Sequence, residues 1–287
     1  MSNSSAKALF SLLRLPYWMM TGGLSLITAF AISKGALEPQ TILLVFFSMA
    51  FITSAGFALN DYFDRESDAV IKPKRPIPSG AFSLKQVIII SSSLFALGLF
   101  LGFLISPLSF VILLIDSALL IVYSAYIKRK SGLAANILVG LLVGTAFLYG
   151  EAAIPPSYTV SLISLSLYPI CFGTIGGNIL RDILSVEGDS KVGYPTLPQL
   201  VGNKGSTMAA SLFFSATAIL APLPFFLGFF SIYYVALILI WGAILLYSSI
   251  RLVTSTSTVE NVKKYERLIT RSMILLIIAL IVEAIVG

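Results

Sequence analysis

Two short segments hold most of the residues with which this chain could do polar chemistry. The first, NDYFDRESD at 60–68, runs on into KPKRPIPSG at 72–80, and the second is RDILSVEGDSKVGYPTLP at 181–198. On a helix turning about 100° per residue, Asp61, Asp64 and Asp68 fall within about 60° of one another, with Asn60 at the edge of the arc. They form one acidic stripe roughly two turns long. Asn178, Asp182, Ser185 and Asp189 share a face in the same way, Glu187 points off it, and Gly188 is a candidate break before Asp189. Two such stripes facing one cavity are hard oxygen donors suited to Mg²⁺, which takes a few carboxylates, keeps water and draws its other ligands from phosphate. The bases Lys72, Lys74, Arg75, Lys128 and Arg129 suit the other side of a diphosphate. The chain has no histidine and one cysteine, Cys171. Histidine-based mechanisms, a disulfide framework and a cysteine metal cluster are therefore excluded.

The elements that must position these groups are membrane helices. The 287 residues are 57% hydrophobic and 11% charged, with a mean hydropathy of +0.95, whereas soluble domains carry about 25% charged residues. Apolar runs recur at 15–33, 41–60, 84–105, 107–126, 133–152, 158–181, 207–227, 230–251 and 267–286. Each is long enough to cross about 30 Å of hydrocarbon as a helix, the form that satisfies its own backbone in lipid. The first run is too long for a signal peptide and lacks a small-residue cleavage site. The fold class predicted is all-α and polytopic, with nine transmembrane helices around a central chamber.

With nine spans, the N-terminus and the segments after spans 2, 4, 6 and 8 share one side. Of the 19 Lys and Arg residues, only Lys34 falls on the other. The positive-inside rule makes the basic side, and the N-terminus, cytoplasmic. The net charge of +6 follows from this bias and gives no reason to expect nucleic acid. Topology does not reward Asp and Glu, so the acids gathered in the two segments need another explanation. Asp61 and Asp182 are separated by four spans. That spacing predicts a single integral-membrane domain of two four-helix halves, about 1–130 and 131–255, plus a last helix.

The first segment, with RPIPSG behind it, resembles the N-D-x-x-D-x-x-x-D signature of the UbiA-type intramembrane prenyltransferases, and the second segment resembles that family's second aspartate motif. Within the superfamily, AFLYGEAAI at 146–154 and PLPFFLGFFSIYYVALI at 222–238 are similar to the archaeal digeranylgeranylglyceryl phosphate synthases. The resemblance implies transfer of a geranylgeranyl group from its diphosphate to the hydroxyl of geranylgeranylglyceryl phosphate, a step of archaeal ether-lipid synthesis. It implies Mg²⁺ on Asn60, Asp61, Asp64, Asp68, Asp182 and Asp189, and diphosphate on Lys72, Arg75, Lys128 and Arg129. Asp61, Asp64 and Asp182 would be catalytic, and Tyr123 would border the reacting allyl carbon. Arg14 and Asn178 are further expected substrate contacts. Ser185 stands where the group usually has another acid, Gly177 and Asn178 replace an Arg-Glu pair, and Tyr17 stands where an asparagine often follows the arginine. SVEGD is closer to the form in chlorophyll synthases, so prenylation of an aromatic or tetrapyrrole acceptor stays open beside the lipid.

Breaking an allylic C–O bond places positive charge on the prenyl chain and negative charge on diphosphate. Cations around the phosphates stabilise the leaving group, and a dry chamber protects the carbocation. Tyr123, Tyr126, Phe147 and Tyr149 are candidate ring faces for that cation. Asp116, in mid-membrane seven residues before Tyr123, shares its face and is a candidate substrate contact. Glu151 and Glu283 are expected at the outer interface. Glycines 22–23, 140, 144 and 176–177 are expected to permit close helix packing. The partners expected are prenyl diphosphate, a lipid-phosphate acceptor and membrane lipid, with no obligatory protein partner. An ion-coupled transporter is the rival from another class, but it would place its acids near the midplane of broken helices.

Overall fold

Helices account for every predicted span, since a backbone in hydrocarbon must bond to itself. In the computed structural model the described residues are 3–191, 193–256 and 258–287. Among them lie nine helices long and apolar enough to cross a membrane. Spans 1 to 5 are Leu15–Ile32, Pro39–Phe63, Leu84–Ile105, Pro107–Lys130 and Gly132–Ala152. Spans 6 to 9 are Leu162–Lys191, Leu197–Phe226, Ile232–Thr254 and Val259–Val286. No strand occurs among the described residues.

Several spans outrun their apolar runs, at the end that carries the acidic segments. Span 7 begins at Leu197 and bends at Gly202, whose φ of 69° and ψ of 175° are non-helical. Span 9 begins with Val259–Ser272, which buries Val262, Tyr265 and Ile269 on one side and exposes Lys263, Lys264, Arg267 and Arg271 on the other. Such amphipathic extensions lower the mean hydropathy, so a purely apolar window cuts them off. Gly188 does not break span 6, because the helix Cys171–Lys191 runs through it and keeps Asp189 in register with Asp182.

Consecutive spans pack side by side, and span 9 closes the ring against span 1, which also crosses to span 5. Glycine lets the helices approach. A Cβ on Gly22 would lie 2.7 Å from the Phe46 carbonyl oxygen, on Gly140 2.2 Å from Ile175 Cγ1, on Gly144 2.9 Å from Cys171 Cβ and on Gly176 2.9 Å from the Ala210 oxygen. Gly23 and Gly177 differ from expectation, since a Cβ on either meets nothing within 4 Å. Glu151 and Glu283, at span ends, are buried within the protein. Glu151 accepts from the Ser161 backbone N–H (2.8 Å), from Ser161 Oγ (2.6 Å) and from Ser164 Oγ. Glu283 accepts from the Ser231 backbone N–H (2.8 Å) and Ser231 Oγ (2.6 Å). Each carboxylate thus occupies orphan donors at the start of a span, where the helix dipole favours negative charge.

Candidate active site

Span 2 ends by delivering its polar residues to the ring's interior. Its last turns carry Asn60 and Asp61, and Asp64 joins it to a short helix, Arg65–Ile71. The i→i−4 bonds from Asp64 to Asn60 (2.9 Å) and from Asp68 to Asp64 (2.8 Å) persist across the join, so the stripe stays on one face. Asn60, Asp61, Asp64 and Asp68 are all buried, and four cationic or polar neighbours hold them. Arg14 Nη2 donates to Asp61 Oδ1 at 2.8 Å, and Arg75 Nη1 donates to the same oxygen at 3.0 Å. Arg75 Nη1 also donates to Asp68. Asp64 accepts from Lys128, from Asn60 Nδ2 (2.9 Å) and from the Tyr194 hydroxyl (2.8 Å).

The second stripe has neutral partners. Asn136 Nδ2 donates to Asp182 Oδ2 at 2.7 Å, and Ser185 Oγ donates to Asp189 at 2.6 Å. Both stripes face one cavity of about 370 Å³, and its walls come from spans 1, 2, 4, 5 and 6 with the loops after spans 2 and 6. Deeper in, the wall turns apolar through Met20, Met49, Ile52, Leu120, Leu142 and Val143. A smaller apolar recess of about 150 Å³ adjoins it and shares Met20, Val143 and Thr174. Among the described residues, no three acidic or cysteine side chains converge closely enough to enclose a metal ion by themselves.

A polar mouth over an apolar well matches a substrate with a charged head and a long hydrocarbon tail. Residues 21–277 match the UbiA prenyltransferase family. The chain belongs to that family. It is 34% identical over 233 residues to the digeranylgeranylglyceryl phosphate synthase of Natronomonas pharaonis, covering 81% of this chain and 83% of that protein. A solved structure described as giving insight into digeranylgeranylglyceryl phosphate synthase in membranes superposes with a TM-score of 0.84 at 30% identity, covering 98% of this chain and 99% of that one. A UbiA homologue from Archaeoglobus fulgidus, solved with GPP and Mg²⁺, shares the fold with a TM-score of 0.67 at 18% identity over 96% and 99% of the two chains.

In this UbiA-family chain, the cavity brings together Arg14, Asn60, Asp64, Asp68, Lys72, Arg75, Asp116, Tyr123, Lys128, Asn178, Asp182 and Asp189, with Asp61 bonded behind Arg14 and Arg75. Arg14 adopts the left-handed conformation (φ 51°, ψ 58°) between an N-terminal helix and span 1, which is uncommon for a residue with a Cβ. Its guanidinium lies 4.6 Å from the centroid of the Phe57 ring. Tyr123 opens a π-helical turn, Tyr123–Ile127, near the end of span 4. The wide i→i+5 turn absorbs an extra residue, and Tyr123 and Lys128 both line the chamber. Arg129 falls outside it. The guanidinium instead donates to the Phe63 carbonyl at 2.7 Å, satisfying the end of span 2.

Of the other candidate rings, Tyr149 is buried in the packing between helices, Phe147 is buried and lines the smaller recess, and Tyr126 is 60% exposed. Asp116 is buried, accepts from Thr145 Oγ1 at 2.7 Å through one oxygen, and has no partner for the other. Sequence reasoning missed two site residues, Tyr194 and Asn136. Asn136 carried a signal, since a lone carboxamide in an apolar span must find a polar partner. For Tyr194 the only pointer was its place in the second motif. Partial burial first, then Asp64 nearby, pushes the Tyr194 phenol up to about 12, so it remains a hydrogen-bond donor at neutral pH.

Proposed function

We propose that this protein transfers a geranylgeranyl group from its diphosphate to the free hydroxyl of geranylgeranylglyceryl phosphate, with Mg²⁺ as cofactor. The observation that carries the reading is the chamber itself, in which two acidic stripes and five bases meet at the mouth of an apolar well. The names of the relatives supply the choice of lipid acceptor.

The donor set suits the cation. Asn60 Oδ1 is a buried oxygen with no hydrogen-bond partner, and the carboxylates of both stripes are hard oxygen donors. Because no cluster among the described residues encloses an ion alone, these residues fit a cation whose shell substrate phosphate and water would complete. Asn60, Asp61, Asp64 and Asp68 would hold it from one side, Asp182 and Asp189 from the other. Bound there, Mg²⁺ would supply positive charge against the negative charge of the departing diphosphate.

The remaining roles belong to the chain's own side chains. Arg75 and Lys128 pass from carboxylate to phosphate oxygens when the diphosphate enters, and Arg14 keeps Asp61 oriented. Lys72 makes no salt bridge among the described residues, so it meets the incoming anion without first giving up a partner. The Tyr123 ring borders the allylic carbon, where its negative face favours developing positive charge. The apolar wall keeps water from the cation, and the acceptor hydroxyl attacks the same carbon while diphosphate leaves. The mouth opens on the cytoplasmic side, the side to which the Lys/Arg bias assigns the acidic ends of spans 2 and 6.

The test is transfer of label from geranylgeranyl diphosphate by purified protein in detergent, with geranylgeranylglyceryl phosphate and a hydroxybenzoate competing. Label should enter a diether only with Mg²⁺ and be lost in Asp61→Ala. Label in the aromatic product would move the assignment to another acceptor. Failure to label either, from folded protein, would overturn the reading.

A further inference from the structure

An acceptor that carries a phosphate needs an anion site of its own, beside the diphosphate site and distinct from it. Its phosphate is only a few covalent bonds from the reacting hydroxyl, so the second site must lie in the same chamber. The bases at the mouth divide accordingly. Arg14, Arg75 and Lys128 are paired with the first acidic stripe, and Lys72 sits among them, with Arg75, Arg14 and Lys128 all repelling its positive charge. One further base lines the chamber, Arg181, on the opposite wall beside Asp182.

Arg181 is held from two directions. Its Nη1 donates to Asn178 Oδ1 at 3.0 Å, one turn earlier on span 6. Its Nε faces Glu266 Oε1 of span 9 at a loose 3.4 Å. Nη2 makes no hydrogen bond among the described residues. A guanidinium presents five N–H donors in a planar fork, so with one N–H of Nη1 on Asn178 and Nε on Glu266, one N–H of Nη1 and both of Nη2 are left for phosphate oxygens. The side chain is 49% exposed, so a headgroup can reach it. The two neighbours hold the guanidinium at Nη1 and Nε.

We infer that Arg181, oriented by Asn178 and Glu266, is the recognition site for the phosphomonoester of the acceptor, and that it sets the preference for a phosphorylated over a neutral lipid alcohol. The inference rests on the lipid-phosphate reading above. It assigns a use to Arg181, which the acidic motif and the diphosphate site leave without one, and it makes Asn178 a positioning residue rather than a group that must touch substrate.

The experiment compares wild type, Arg181→Gln and Arg181→Lys with geranylgeranylglyceryl phosphate and with the same lipid lacking its phosphate, at saturating donor. Loss of a charge-assisted contact should raise the KM for the phosphorylated acceptor about 10- to 100-fold in Arg181→Gln. The KM for donor should stay within about threefold, and Arg181→Lys should recover part of the loss. The phosphate-free lipid should be used as poorly by wild type as by Arg181→Gln, which also reports that the variant is folded. Equal losses with both acceptors, or none with the phosphorylated one, would overturn the assignment while leaving the lipid reading intact. Transfer by wild type only to an aromatic acceptor would overturn the lipid reading and this inference with it.

Discussion

Asn136 and Asp182 stand to each other as Arg14 and Asp61 do. In each pair a residue at the beginning of a span donates to the first carboxylate of an acidic stripe, at 2.7 Å in one and 2.8 Å in the other, across 46 and 47 residues of chain. We propose on this ground that the chain is built of two related four-helix halves. The correspondence also exposes their difference, because one donor is a cation and the other a neutral amide. The first stripe is therefore largely charge-compensated by the protein, whereas the second keeps its negative charge for what the chamber binds.

Asn136→Ala should weaken metal use more than folding. The substitution strips Asp182 Oδ2 of the donor that fixes it, and loss of such an orienting partner typically costs 10–100-fold in metal affinity. A Mg²⁺ titration of the initial rate should show the half-saturating concentration rising about 10-fold, with kcat at saturating Mg²⁺ changed less. An unchanged Mg²⁺ curve would place Asp182 outside the metal set.

Tyr194→Phe removes a hydroxyl 2.8 Å from Asp64 Oδ1 and leaves the ring, over which the Lys128 ammonium sits at 5.2 Å. Without the hydroxyl, Asp64 keeps Lys128 and Asn60 but is freer to rotate. The kcat/KM for donor should fall about 10-fold, close to one hydrogen bond to a charged group. Tyr194→Ala, which also loses the cation–π contact, should fall further. Steady-state kinetics of the two variants separates hydroxyl from ring.

Much of this was legible in the sequence, for identifiable reasons. Lipid permits few backbone solutions, so apolar runs of sufficient length fixed the number of spans. Helical periodicity alone put Asp61, Asp64 and Asp68 on one face. It failed where the helix stops being regular, since the π turn at Tyr123–Ile127 shifts Lys128 relative to Tyr123 in a way a uniform rotation does not foresee, and Arg129, one residue further round, turns to the Phe63 carbonyl. It is also silent where a tertiary partner decides. Glu151 and Glu283 stand at span ends, and only the packed ring shows the serine N–H and hydroxyl groups that make their burial tolerable. Tyr194 reaches Asp64 from a loop 130 residues away, a contact without local signature.

Glu283→Ala should separate stability from activity. The carboxylate takes both the backbone N–H and the hydroxyl of Ser231 at the start of span 8, far from the acidic stripes. Removing it strands buried donors at a cost of about 1–3 kcal/mol. Thermal unfolding in detergent should therefore begin at lower temperature, while kcat and both KM values measured well below that temperature should match wild type. A selective loss of activity without loss of stability would contradict the structural role.

Lys72 should give the donor site an alkaline limit. Although the residue is exposed overall, partial desolvation of its ammonium, then Arg75 beside it, lowers its pKa from the ordinary lysine value. Arg14 and Lys128 act in the same direction, and Asp68 opposes them. As pH rises through that lowered value the ammonium loses its proton and the diphosphate loses a counter-charge, so the KM for donor should climb at a pH where a solvated lysine would still be charged. The effect on the empty protein has the opposite sign. With a folded-state pKa below the unfolded one, protonated Lys72 costs stability at lower pH. That cost fades as pH rises from the folded value and is gone above the unfolded one. Lys72→Arg, charged throughout the accessible range, should move the alkaline climb in KM to higher pH. A pH profile of donor KM identical in the variant and wild type would remove Lys72 from the diphosphate site.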